Sequence, residues 1–114
     1  MKCLVLEDRG KKEEAVREAF SKKKLDVIFC TSSNDFMTAL NASKFETAVI
    51  NAEAWGRGRA IYDYFDAGKK LDGKRLVFFN ASEQFVPAIK YRKHSDKDVV
   101  YREPIEYEAL AEAL

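Results

Sequence analysis

Three polar residues stand where apolar runs stop, and their types set the chemistry that the chain can do. Glu7 and Asp8 follow Leu4-Val5-Leu6, and Asn51 closes Thr47-Ala48-Val49-Ile50. Paired carboxylates are the oxygen donors that Mg²⁺ takes; at a strand end they are also an ordinary solvated acidic surface. Asn51 does not extend the acid set, because an amide has neither the charge nor the nucleophilic lone pair of a carboxylate. It equally suits the end of a strand, where its side chain can bond local backbone. Later runs end in similar fashion: Arg75-Leu76-Val77-Phe78-Phe79 leads into Asn80, Ala81 and Ser82, and Asp98-Val99-Val100-Tyr101 into Arg102, Glu103 and Pro104. Between these groups lies Trp55-Gly56-Arg57-Gly58-Arg59. Its cations precede a helix whose N-terminus could hold an anion, against a second reading as a solvated loop with a packed indole. His94, the one histidine, reads as an ordinary exposed side chain.

The elements that position these groups follow from hydrophobic spacing. Short apolar runs rich in strand formers alternate with stripes of helical period. The expected strands are Leu4 to Leu6, Leu25 to Cys30, Thr47 to Asn51, Arg75 to Asn80 and Asp98 to Tyr101. Between them, Lys11 to Lys24 carries Ala15, Val16, Ala19 and Phe20 on one narrow stripe. Phe36, Met37, Ala39 and Leu40 form a second stripe, preceded by Thr31-Ser32-Ser33-Asn34-Asp35 as a supply of N-caps. Ala60, Ile61, Tyr64 and Phe65 form a third, with Gly68 as its C-terminal cap. A short fourth helix starts near Val86, with Pro87 in the first turn where its missing N–H is no loss. The fifth runs from Ile105 to Leu114. Strands that are nearly all apolar are buried on both faces, and short connections imply right-handed crossovers. The expectation is one α/β domain over residues 1–114, a five-stranded parallel sheet with helices on both sides.

Composition excludes other classes. With 46% hydrophobic and 34% charged residues, the chain is neither disordered nor membrane-spanning. A net charge of +1 gives no global field for nucleic acid or a membrane surface. The acidic N-terminal stretch lacks the features of a signal peptide, which implies a cytoplasmic protein. Cys3 and Cys30 match neither a disulfide framework nor a zinc motif and read as buried thiols.

In such sheets function sits at the carboxyl ends of the strands, and there the chain resembles a response-regulator receiver domain. The resemblance covers essentially all 114 residues. It rests on the order of elements, the acidic pair after strand 1, the side chain ending strand 3, the small polar position after strand 4 and the proline after strand 5. It implies the flavodoxin-like strand order 2-1-3-4-5 and a place in bacterial two-component signalling and phosphorelay. The family's chemistry is transfer of a phosphoryl group from a histidine kinase to an aspartate, with Mg²⁺ held by that aspartate and the acidic pair. Only Glu7 and Asp8 match that pattern. The acceptor position is Asn51; the hydroxyl position is Asn80, with Ser82 the nearest hydroxyl; the aromatic switch position is Val100, followed by Tyr101. The lysine position before Pro104 is Glu103, a reversal of charge worth on the order of 4 kcal/mol per close pair. The loop after Asn51 departs too, with Trp55 where a proline is usual.

These departures imply a pseudo-receiver: not an enzyme, with no cofactor and at best weak Mg²⁺ binding at Glu7 and Asp8. Its expected role is as a protein-interaction module. The family's usual partner face, made by helix 4, strand 5 and helix 5, is here charge-segregated, with Lys90, Arg92 and Lys93 on or after helix 4, Tyr101 on strand 5, and Glu106, Glu108 and Glu112 on helix 5. A signalling partner or a two-fold homodimer would use that face; two solvated helix faces are the other reading. The alternative function is a ligand switch that binds a metal or small anion at Glu7, Asp8, Trp55 and Arg57.

Overall fold

A computed structural model describes residues 1–53, 74–83, 99–102 and 105–114. Five strands, β1 (Lys2–Leu6), β2 (Asp26–Cys30), β3 (Thr47–Asn51), β4 (Arg75–Ala81) and β5 (Val99–Arg102), form one sheet of order β2-β1-β3-β4-β5. Every pairing is parallel. Three helices fall within the described residues: α1 (Glu13–Ser21), α2 (Ser33–Ala42) and α3 (Tyr107–Ala113), with a 3₁₀ turn over Gly10–Lys12 ahead of α1. Gly68 and the helices expected around Ala60 and Pro87 lie outside the described residues.

The alternation of side chains along each strand divides the core into two layers. Leu4, Leu6, Ala48, Ile50, Leu76 and Phe78 point to one face and pack with Phe36 and Leu40 of α2. Cys3, Val5, Val49, Val77 and Phe79 point to the other and pack with Val16, Ala19 and Phe20 of α1 and Leu110 and Ala111 of α3. Burying Phe20 completely is worth about 3 kcal/mol. This is why the strands read as continuous apolar runs. Both faces are covered.

Helix boundaries differ from the sequence expectation for local reasons. Ala15, placed on the buried stripe, is exposed. The helix expected to reach Lys24 stops at Ser21. The Leu25 N–H bonds Phe20 O at 3.1 Å and the Lys24 N–H bonds Ser21 O at 3.0 Å, with Lys24 at φ 57°. That is a Schellman stop with lysine where glycine is usual. At α2 the Ser32 hydroxyl accepts from the Asp35 N–H at 3.1 Å, so one of the candidate caps is the cap. Strand β4 runs one residue further than expected, to Ala81, and is irregular against β5. Phe78 pairs Val100 and Ala81 pairs Arg102, which leaves Phe79 and Asn80 opposite Tyr101. Asn80 takes a left-handed φ of 57° there, a conformation that asparagine tolerates better than most residues.

Candidate functional site

The site is built where β1 and β3 end side by side. Leu6 pairs Ile50, so the next residue of each strand, Glu7 and Asn51, projects from adjacent positions. Glu7 continues the alternation of Cys3 and Val5 and so turns inward. Its N–H still bonds Cys30 O at 3.0 Å, which fixes its backbone to β2. Both Glu7 and Asn51 are 0% exposed.

A buried carboxylate is costly unless its charge is met, and here six hydrogen bonds meet it. Arg9 grips it with a guanidinium fork, Nε to Oε1 at 2.9 Å and Nη2 to Oε2 at 2.8 Å, and its backbone N–H reaches Oε1 at 3.1 Å. The Asn51 Nδ2 amide donates to Oε1 at 3.1 Å and Oε2 at 3.0 Å. The Tyr107 hydroxyl, from the first residue of α3, donates to Oε2 at 3.1 Å. Asn51 Oδ1 accepts from the Glu53 N–H at 2.9 Å. That bond settles the amide's orientation, since the flipped form would set the amide oxygen against the carboxylate and the NH₂ against the Glu53 N–H. The Tyr107 ring meets Phe79 edge-on, with centroids 6.2 Å apart. One carboxylate thus ties β1, β3 and α3 together.

The electrostatics follow. Burial alone would push the Glu7 carboxyl up, but hydrogen bonds from Arg9 and Asn51 and the Arg9 charge outweigh it and lower it below the usual carboxylate range. The Arg9 guanidinium is raised by its bonds to Glu7. Burial, followed by the Glu7 charge, pushes the Tyr107 hydroxyl up to about 12. Burial pushes each of Cys3 and Cys30 up to about 11. Both thiols are free and buried, as expected.

Mg²⁺ does not fit the residues present. Glu7 has no oxygen to offer, and Asn51 turns its NH₂, not its carbonyl, toward the acid. Among the described residues no three histidine, cysteine, aspartate or glutamate side chains are grouped to hold an ion. In this arrangement the Glu7 charge is already neutralised from within by Arg9. Asp8 is half-buried.

The remaining candidates divide by place. Asn80 lines a shallow cavity of about 210 Å³ with Arg9, Lys12, Glu106 and Tyr107 over Phe79 and Ile105. Ser82 Oγ is buried and has no hydrogen-bond partner among the described residues. Val100 packs into the α2 layer and Tyr101 into the α1–α3 layer. Arg102 pairs with Glu83. Glu106, Glu108 and Glu112 are exposed, and Glu112 lies 3.4 Å from Lys23 at the end of α1. Trp55, Arg57, Arg59, Lys90, Arg92, Lys93, His94 and Glu103 lie outside the described residues. Sequence reasoning missed Arg9 and Tyr107. Arg9 had a signal, a cation two positions after an inward acid, whereas nothing local joins Tyr107 to Glu7 across the chain.

The chain matches no protein-family model and no curated protein. Solved structures do match. The receiver domain of Francisella response regulator 1452 superposes with a TM-score of 0.72 at 15% identity, over 96% of this chain and 89% of that one. A CheY-like receiver domain from Methanospirillum hungatei JF-1 gives 0.74 at 13% identity, over 97% and 87%. The chemotaxis response regulator CheY4 of Vibrio cholerae gives 0.72 at 11% identity, over 99% and 98%. With the strand order and the two-sided helix layers, these likenesses define the class: the chain has the CheY-like receiver fold. Among the described residues no helix is long and apolar enough to cross a membrane.

Proposed function

We propose that this chain is a pseudo-receiver of bacterial signal transduction, a cytoplasmic receiver-fold domain that works as a protein-interaction module without accepting a phosphoryl group. The observation that carries the reading is Asn51. The receiver fold brings the end of β3 against the β1 acid, and at that place the chain has an amide whose two ends are both engaged, Nδ2 on Glu7 and Oδ1 on the Glu53 N–H. No carboxylate oxygen stands there to attack a phosphorus atom. Ser82 does not replace it, because its hydroxyl is buried. What remains for function is surface. The reading assigns the partner, a signalling protein or a second copy, to β5, to α3 with its neighbouring exposed Glu106 and Glu108, and to the basic residues Lys90, Arg92 and Lys93.

The test is incubation with acetyl phosphate and Mg²⁺, followed by intact mass and amide NMR. The expected result is no added mass and no shift at Glu7, Asn51 or Ser82. A gain of one phosphoryl mass on the native chain would overturn the reading.

A further inference from the structure

Glu7 presents an unusual balance of charge. It is an acid with 0% exposure whose countercharge comes from two residues along the same strand end. The Arg9 side chain is 41% exposed, so the cation spans the distance between the buried acid and the surface. Its fork is of the bidentate, charge-assisted kind, stronger and more directional than a single ammonium contact. Two carboxylate oxygens offer about four lone-pair directions. Arg9, Asn51 and Tyr107 place five donor atoms on them, in six contacts. A divalent ion would have to displace the guanidinium and turn the Asn51 amide, which would break the Glu53 N–H bond as well.

We infer that the Arg9 guanidinium is the permanent cation of this site, fixed in the fold in place of a divalent metal, and that it holds β1, β3 and α3 together around Glu7. The chain therefore binds no Mg²⁺ or Mn²⁺ at Glu7 and needs none for stability. The geometry explains why each neighbour has the type it has. Asn51 supplies an amide NH₂ that both oxygens share, where a second carboxylate would add negative charge. Tyr107 supplies a neutral donor that brings the first residue of α3 onto the same oxygen as Arg9 Nη2. The inference goes beyond the absence of phosphoryl transfer and can fail separately from it, since a domain with no acceptor aspartate could still hold a metal ion.

The test compares the native chain with Arg9→Met, which removes the charge and keeps the length, and Arg9→Lys, which keeps a charge without the fork. Thermal unfolding is measured with and without millimolar Mg²⁺, and amide resonances are followed as Mn²⁺ is added. The native Tm is expected to be independent of Mg²⁺, with no saturable Mn²⁺ broadening centred on Glu7, Arg9 and Asn51. Arg9→Met should lose roughly 5 °C or more, and Mg²⁺ should recover part of that loss by taking the vacated place beside Glu7. Saturable broadening in the native chain, a native Tm in Arg9→Met, or no recovery of that variant by Mg²⁺ would each overturn the inference. Should Arg9→Met not fold, the native titration and Arg9→Lys decide: a folded Arg9→Lys whose Tm ignores Mg²⁺ supports a built-in cation, and one that Mg²⁺ stabilises contradicts it. Intact mass after acetyl phosphate, run on the same samples, reports on phosphoryl transfer independently.

Discussion

Asn51 Nδ2 lies 3.0 Å from Glu7 Oε2 and 3.1 Å from Oε1, so β3 gives β1 an amide donor shared by both oxygens where receiver phosphoryl transfer would need a second acid. The consequence is that restoring the acid alone damages the site. Asn51→Asp removes the amide donor shared by both Glu7 oxygens and sets a like charge against a fully buried carboxylate, one of the costliest local changes available. The loss expected at pH 7 is on the order of 3 kcal/mol. One carboxyl of the new pair has a raised folded pKa, so the penalty grows as pH rises through that value and shrinks toward pH 4. Urea unfolding of native and variant chains at pH 7 and pH 5 measures it. The variant should also gain no phosphoryl mass; a stable variant that took up phosphate would show that Arg9 yields its place readily.

Glu7 gives the second prediction its sign. Its carboxyl is held below the ordinary 4.5 by Arg9 and Asn51, against the upward push of burial. A group with a depressed folded pKa contributes stability above its unfolded pKa, and that contribution disappears as pH falls through the folded value. Stability of the native chain should therefore decline below about pH 4.5, with Glu7 responsible for part of the slope. Glu7→Gln keeps the shape and forfeits the charge-assisted bonds, at a cost of about 2 kcal/mol at pH 7. Its own acid slope should be correspondingly shallower, so the two curves of stability against pH converge on the acid side. Parallel curves would mean that Glu7 does not titrate differently in the folded and unfolded states.

How far the sequence reaches is best judged at these same residues. The strands were legible because each is apolar on both faces, and the sheet order followed once the receiver resemblance was admitted. Asn51 was legible as a chemical departure at a strand end. What it bonds was not, because that depends on which way Glu7 turns. The alternation Cys3, Val5, Glu7 contains that answer, but an acid at the end of an apolar run more often faces water. Reading Glu7 and Asp8 as an equivalent pair hid the difference: Glu7 is fully buried and Asp8 only half. Tyr107 reaches Glu7 from the far end of the chain, a contact set by the packing of α3 on Phe79 and not by any local pattern. Local stops fared unevenly, since an N-cap has a recognisable residue type and the stop at Lys24 does not.

Lys24 also supplies a prediction about the fold itself. It has a left-handed φ of 57° because the Schellman bonds from Lys24 N–H to Ser21 O and from Leu25 N–H to Phe20 O require it. Leu25 joins the same apolar layer as Phe20, so the helix end is held by packing as well as by hydrogen bonds. A side chain in that conformation costs roughly 1–2 kcal/mol, whereas glycine pays only the greater entropy of its unfolded chain. Lys24→Gly should therefore stabilise the domain by about 0.5–1 kcal/mol, a rise of a few degrees in Tm. The control is Lys22→Gly two residues earlier. Lys22 is right-handed, with φ −61° and ψ −23°, so glycine there relieves nothing and should cost about 0.5–1 kcal/mol. Both changes remove one positive charge from the same turn; Lys22 also gives up an exposed 3.9 Å contact with Glu18, a pair worth at most about 0.5 kcal/mol. Opposite signs in paired thermal melts would assign the gain to the backbone at position 24, and a loss in both would show that the Lys24 conformation carries no strain that glycine can relieve.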